Sequence, residues 1–96
     1  MKHIYRPAAA ADIEQAYARY EQERRGLGEE FLAEVTATAR LVLERPEAYP
    51  VVVRRTRRAL VHQFPYGLFY RILGDTVVFV ACFHTSRNPA LWARRR

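Results

Sequence analysis

His84 carries the side chain best suited to acid–base chemistry in this sequence. It directly follows the apolar run that ends at Phe83, and histidine exchanges a proton closer to neutral pH than other residue types, as a general base requires. No acidic residue stands beside it to orient the ring, so the alternative is a hydrogen-bonded structural residue at a strand end. The other two histidines and the lone Cys82 have no metal-ligand spacing, so we expect neither a metal nor a cofactor.

A group of four arginines is a second candidate site. They crowd into five positions of the extended segment that begins at residues 51–53, and four guanidinium groups on both faces of one chain cannot all be buried. We therefore expect an edge or a loop that tracks phosphates or an acidic helix. The alternative is a solvated edge that prevents sheets from aggregating. These residues are Arg54, Arg55, Arg57 and Arg58.

Arg71 and Trp92 each allow two interpretations. Arg71 lies in the middle of a predicted strand, where an arginine needs solvent or a carboxylate. It either contacts an acidic partner or a target, or it forms a structural ion pair with Glu34 or Asp75. Trp92 stands just before the arginines at positions 94–96, and it either anchors a partner or packs back on the sheet.

The charge is divided unevenly along the chain. Residues 1–49 hold seven Lys/Arg and nine Asp/Glu, a balance of −2, whereas residues 50–96 hold nine arginines and one acid, a balance of +8. The two halves sum to the net charge of +6. Such a field complements a polyanion, such as nucleic acid or the ribosome, or an acidic protein segment. The alternative is a basic surface that serves solubility alone.

Three β-type segments must position these side chains. They are separated by the turn signals Pro65-Tyr66-Gly67 and Gly74-Asp75, and such short turns join antiparallel neighbours because parallel strands need a long crossover. We therefore predict a three-stranded antiparallel meander. Its strands run from Leu60 to Phe64, from Leu68 to Leu73 and from Thr76 to Phe83.

The last predicted strand is apolar on both faces. Strict alternation places Val77, Phe79, Ala81 and Phe83 on one face, and Val78, Val80 and Cys82 on the other. A strand of this kind is usually covered twice. A helical layer covers one side, so we expect the C-terminal tail or a partner chain on the other.

The N-terminal half predicts a short strand and two helices. Residues 2–6 suit a strand, and amphipathic helices extend from Ala8 to the break at Gly26 and from Glu29 to Arg45. A short glycine break between two such helices makes an antiparallel helical hairpin. We therefore predict an α+β fold, with the hairpin packed on one face of a small, mainly antiparallel sheet. A last helical turn is predicted from Ala90 to Arg96.

The length of 96 residues predicts a single domain spanning residues 1–96. No segment approaches the roughly 18 apolar residues that a membrane span needs, and the N-terminus lacks the apolar region of a signal peptide. We therefore expect a cytoplasmic protein that does not enter a membrane. No glycine-rich phosphate loop, nucleophile elbow or paired carboxylate is present, which removes several enzyme classes.

Several motifs together resemble one family of toxins. The stretch Phe64-Pro-Tyr-Gly-Leu-Phe-Tyr-Arg-Ile72 precedes a Gly-Asp hairpin, then Val80-Ala-Cys-Phe-His84 and Arg87-Asn-Pro-x-x-Trp92. With Leu27-Gly-x-x-Phe-Leu-x-Glu-Val35, they resemble the RelE/ParE superfamily of bacterial type II toxin–antitoxin systems. The resemblance covers almost the whole chain. It implies a toxin neutralised by a cognate antitoxin with an acidic, partly disordered tail, in a hetero-oligomer.

The resemblance allows two activities. RelE-like members cleave mRNA on the ribosome, and here Arg71, His84 and Arg87 would carry that reaction. However, Gly67 stands where such members place a catalytic arginine, and no tyrosine follows Arg87. We therefore favour the ParE-like branch, which binds DNA gyrase, arrests growth and stabilises plasmids, with no assigned catalytic residue. The residues expected to bind target or antitoxin are Arg54, Arg55, Arg57, Arg58, Arg71, Arg87 and Trp92.

Overall fold

The computed structural model describes residues 1–95, and Arg96, the last residue of the predicted helical turn, lies outside them. Five strands form one sheet in the order β1-β5-β4-β3-β2, and all neighbours are antiparallel except β1 and β5. Two helices pack on one face, which confirms the predicted α+β architecture. The elements are β1 Lys2–Tyr5, α1 Pro7–Glu23, α2 Leu27–Glu44, β2 Val51–Val53, β3 Thr56–Leu60, β4 Tyr66–Leu73 and β5 Thr76–His84.

The helical hairpin forms where local signals require it. Pro7 occupies the first turn of α1, where its missing N–H has no intrahelical partner to lose. Gly26 has φ 88°, a left-handed conformation that favours glycine, and it reverses the chain between the helices. Gly28 then lets the helices approach closely, because an added Cβ would lie 2.7 Å from the carbonyl oxygen of Tyr17. No helix of residues 1–95 has the length and hydropathy to cross a bilayer.

The main core lies between the helices and the sheet. Apolar side chains of α2 meet those of β4 and β5, and the helices are amphipathic because one face of each is buried there. Tyr70 reaches past this core and donates a hydrogen bond to the carbonyl oxygen of Pro46, at 2.6 Å. The fully buried large side chains of the main core are Phe31, Val42, Leu68, Tyr70, Val77, Phe79 and Cys82.

The first strand of the predicted meander was placed wrongly. Strand β3 spans Thr56–Leu60, whereas most of the predicted segment, residues 61–64, is a loop. Pairing with β4 sets this register, with Ala59 opposite Leu68. Arginines are tolerated in β3 because Arg57 extends its guanidinium to the carbonyl oxygens of Glu47 and Tyr49, at 3.2 and 2.7 Å.

The predicted alternation of β5 is also wrong beyond Phe79. Phe69 pairs with Ala81 but Tyr70 pairs with Phe79, so β5 contains one extra residue, a β-bulge. Cys82 therefore faces the helices, while Ala81 and Phe83 join Val80 on the opposite face, here called the open face. The C-terminal tail covers part of that face, as predicted, because Trp92 packs there.

Candidate functional site

A groove of about 500 Å³ lies on the open face of the sheet. Three parts of the chain form its walls: the turn between β2 and β3, the middle of β4 and the C-terminal segment of residues 89–95. We call it the arginine groove. Its lining residues are Arg54, Arg55, Thr56, Arg71, Ala93, Arg94 and Arg95.

The β2–β3 turn presents two of these arginines. Val53 pairs with Thr56, so Arg54 and Arg55 alone make the turn, and both side chains are exposed. Arg54 has φ 52°, in the left-handed region that costs a residue with a Cβ roughly 1–2 kcal/mol. Neither side chain is therefore held in the core, and both are displayed at the rim of the groove.

Arg71 forms the floor of the groove without a carboxylate partner. Of the two interpretations of Arg71, the structural ion pair with Glu34 or Asp75 does not form within residues 1–95. Glu34 lies 3.7 Å from His62, and Asp75 lies 3.6 Å from Lys2. The Nε atom of Arg71 is buried and has no hydrogen-bond partner within these residues. Burial of an unpaired polar group is costly, so this guanidinium is uncompensated by the protein itself.

Arg95, in contrast, is neutralised by Asp12 of α1. Its Nη1 atom lies 2.5 Å from Oδ2 of Asp12 and also donates to the carbonyl oxygen of Val80, at 3.2 Å. The same Oδ2 accepts the backbone N–H of Cys82, at 3.0 Å. This bond network fixes the C-terminal segment against the edge of β5, where residues 80–82 extend beyond the short strand β1.

Trp92 is buried rather than displayed. Its side chain is 3% exposed and its ring centroid lies 3.9 Å from that of Phe69. Of the two interpretations drawn from the sequence, the structure supports packing on the sheet. Trp92 thus holds residues 93–95 in position as one wall of the groove.

His84 and Arg87 lie apart from Arg71. They share a cavity of about 70 Å³ with Arg58 and Trp92, and a smaller one of about 20 Å³ next to Tyr66. Nδ1 of His84 accepts the backbone N–H of Ser86 at 3.1 Å, and its ring meets Tyr66 edge-on. These contacts fit the hydrogen-bonded strand-end residue, and a role of His84 as general base stays a prediction.

Arg57 and Arg58 also lie outside the arginine groove. Arg57 donates hydrogen bonds to backbone carbonyl oxygens, and Arg58 borders the small cavity beside His84. Of the seven predicted binding residues, only Arg54, Arg55 and Arg71 line the groove. The sequence analysis missed Asp12, which no spacing in α1 distinguishes, and the wall made by Arg94 and Arg95, whose position depends on the whole fold.

Comparison with known proteins finds a matching family model and similar solved structures, of which one is described here. The family model described as the ParE toxin of the type II toxin–antitoxin system, parDE, matches residues 4–89. A solved structure described as the chromosomal ParDE TA system from P. aeruginosa has a TM-score of 0.79 and 15% identity. That match covers 88% of this chain and 95% of the other, and at this identity it shows the fold. No curated protein matches the chain.

Proposed function

We propose that this chain, which belongs to the ParE toxin family of type II toxin–antitoxin systems, arrests growth by binding DNA gyrase and not by cutting RNA. The observation that supports binding most directly is the separation of the three residues that would cleave RNA. Arg71 lines the arginine groove, whereas His84 and Arg87 border two other cavities.

The surroundings of Gly67 support the same conclusion. A Cβ built at Gly67 would lie 3.0 Å from the ring of Phe69 and 3.2 Å from Cδ of Arg58. An arginine at this position, such as RNA-cleaving relatives carry, has no room without repacking of the open face. The neighbours of Gly67 therefore fill the space that a catalytic side chain needs.

The antitoxin is proposed to neutralise the toxin through its basic open face. Four of the arginines on this face have no ion pair within residues 1–95, so an acidic segment gains charge-assisted hydrogen bonds there. A tail that is disordered when free folds on binding and can cover a large surface. The product is a toxin–antitoxin hetero-oligomer, and release of the toxin would maintain plasmids by arresting cells that lose them.

The test measures both activities with the same purified toxin. We expect inhibition of DNA supercoiling by gyrase and intact mRNA in a translation reaction. An Arg25→Ala variant serves as the control, because Arg25 is an exposed residue in the turn between α1 and α2. It should inhibit gyrase like the original chain. The proposal would be contradicted if the original chain left supercoiling unaffected and made codon-positioned cuts in mRNA that disappear in Arg87→Ala. That result would indicate ribonuclease activity instead.

A further inference from the structure

We propose that the arginine groove binds the phosphodiester backbone of a nucleic acid directly. This goes beyond the proposed contact with gyrase, because the groove would bind nucleic acid in the absence of any target protein. The inference rests on the charge, the donors and the lining of the groove.

Four positive charges in the groove are uncompensated. Arg95 is paired with Asp12, but no ion pair among residues 1–95 involves Arg54, Arg55, Arg71 or Arg94. No carboxylate of residues 1–95 belongs to the lining either. Like charges held around one cavity repel one another, so an anion that enters the groove relieves this repulsion.

The N–H donors of Arg71, on the floor of the groove, also favour a bound anion. The Nε–H of this arginine is buried and has no acceptor in the described part of the chain, residues 1–95, and its guanidinium is partly covered. It therefore interacts with an anion under weaker screening than an exposed arginine does. Guanidinium groups present parallel N–H donors whose spacing matches two oxygens of one phosphate. When Arg71 binds one phosphate on the floor of the groove, the arginines of the rim can bind the neighbouring phosphates of the same nucleic-acid strand.

The lining favours phosphates over an isolated acidic peptide, and the antitoxin segment of the proposed function would need further contacts on the open face outside the groove. Besides arginines, the anchors of protein interfaces are mainly aromatic side chains packed in pockets. The largest apolar side chain that lines this groove belongs to Ala93, since Trp92 is turned inward onto Phe69. A surface of guanidinium groups without an apolar pocket is suited to a charged backbone whose bases or side chains stay outside.

The experiment measures binding of the full chain to fluorescent oligonucleotides by anisotropy. Neutralising about four phosphates of duplex DNA gives a slope near −3.6 in log affinity against log salt, or about a 150-fold loss between about 50 and 200 mM NaCl. Duplex DNA and single-stranded RNA are measured in parallel, so that the preferred source of the backbone is identified. Polyglutamate serves as the acidic peptide.

Matched variants separate the groove from bulk charge. Arg54→Gly with Arg94→Ala removes two charges from the groove, and glycine accepts the positive φ of residue 54. Arg25→Ala with Arg40→Ala removes two charges from exposed positions in the helical half. We expect the first pair to lower the salt slope by about 1.8 and the second to leave it nearly unchanged. Arg71→Lys should keep the slope but weaken binding several-fold.

Three results would overturn the proposal. One is equal loss in the two paired variants, which would indicate attraction to net charge alone. Another is polyglutamate binding as tightly as the oligonucleotides with the same dependence on Arg71. The third is no binding at about 50 mM salt by a chain whose circular dichroism spectrum shows that it is folded, since four uncompensated phosphate contacts are strongest there.

Discussion

Asp12 is a buried acid on α1 that joins three parts of the molecule. Its carboxylate accepts the N–H of Cys82 in β5 and two guanidinium donors of Arg95 in the C-terminal segment. Removal of a buried ion-pair partner is costlier than loss of the attraction itself, because the remaining charge stays partly desolvated. Asp12 thus stabilises the edge of the sheet and the wall of the arginine groove together.

We expect Asp12→Ala to lower the free energy of unfolding by about 2–4 kcal/mol, since it leaves both Arg95 and the Cys82 N–H without their acceptor. Asp12→Asn should cost less, because an amide oxygen can still accept the N–H. Urea denaturation followed by circular dichroism measures both. Glu14→Ala, an exposed acid on the same helix, is the control, and equal losses in Asp12→Ala and Glu14→Ala would contradict the assigned role.

Cys82 makes stability depend on alkaline pH. Burial against the helices, with the nearby Asp12 carboxylate, raises the pKa of its thiol from 9.0 to about 12. The unfolded thiol loses its proton above about pH 9 while the folded one keeps it, so rising pH stabilises the unfolded chain. The stabilising contribution is therefore complete below pH 9 and is lost progressively as the pH rises towards 12.

The measurement compares the original chain with Cys82→Ala. Between about pH 9 and pH 10.5, the original chain should lose about 2 kcal/mol more of its free energy of unfolding than the variant. Both proteins carry the same tyrosines, so their direct contribution cancels in the difference between the two curves. Parallel curves would mean that the folded thiol ionises normally.

At the scale of elements, the C-terminal segment behaves as part of the core. Trp92 is packed on Phe69 within the second apolar cluster, and Arg95 lies with its guanidinium carbon 4.9 Å from the ring centre of Phe83. Together these contacts cover a face that the helices cannot reach. The segment therefore supplies the second layer that a strand apolar on both faces requires.

We expect Trp92→Ala to cost about 3–5 kcal/mol in the free energy of unfolding, through lost burial and an unfilled cavity. Leu91→Ala should cost less than about 0.5 kcal/mol, because Leu91 is 53% exposed. Chemical denaturation followed by circular dichroism reports both. Similar small losses at the two positions would show that the segment does not pack on the sheet in solution.

The helices could be predicted from the sequence, whereas the strands could be predicted only in part. Gly26 and Pro46 act locally, since each restricts or frees the backbone where it stands, so the helix ends came within a few residues of their observed positions. The β3 register depends instead on pairing with β4, whose paired residues lie seven to 13 positions further along the chain. The bulge in β5 likewise leaves no mark in an unbroken apolar run, so the facing of Cys82 was reversed.

The candidate site, like the strands, could be predicted from the sequence only in part. Arg54 and Arg55 are recognisable because a dense run of arginines cannot be buried. For Arg71 the sequence left both a contact with a partner and an internal ion pair open. Only the fold shows that Glu34 and Asp75 lie beside His62 and Lys2 instead. The wall containing Arg94 could not be foreseen, since the tail reaches the groove only through the packing of Trp92.

The molecule as a whole carries its positive charge on one side. The half that contains β2 to β5 and the tail has a balance of +8, and four arginines of the groove lack partners within residues 1–95. Mutual repulsion among them opposes folding, and salt screens exposed charges over about 10 Å at 0.1 M. The Asp12–Arg95 pair is largely buried and is screened less.

We therefore expect the free energy of unfolding to rise by about 0.5–1 kcal/mol when NaCl increases from about 20 to 300 mM. The paired change Arg54→Gly with Arg94→Ala should remove most of that rise, while Arg25→Ala with Arg40→Ala should preserve it. Urea midpoints at each salt concentration test this. A midpoint that falls with salt in the original chain would indicate that its exposed charges attract on balance.

The parallel pairing of β1 with β5 has a consequence for synthesis. Residues 2–5 are made first, yet they pair with residues 76–79, and Asp12 binds a residue 83 positions later. A nascent chain can therefore complete neither the edge of its sheet nor the wall of its groove until residues 76–95 have been made. Under the proposed function, we expect a chain that stops before residue 76 to lack toxicity, because it cannot form this sheet.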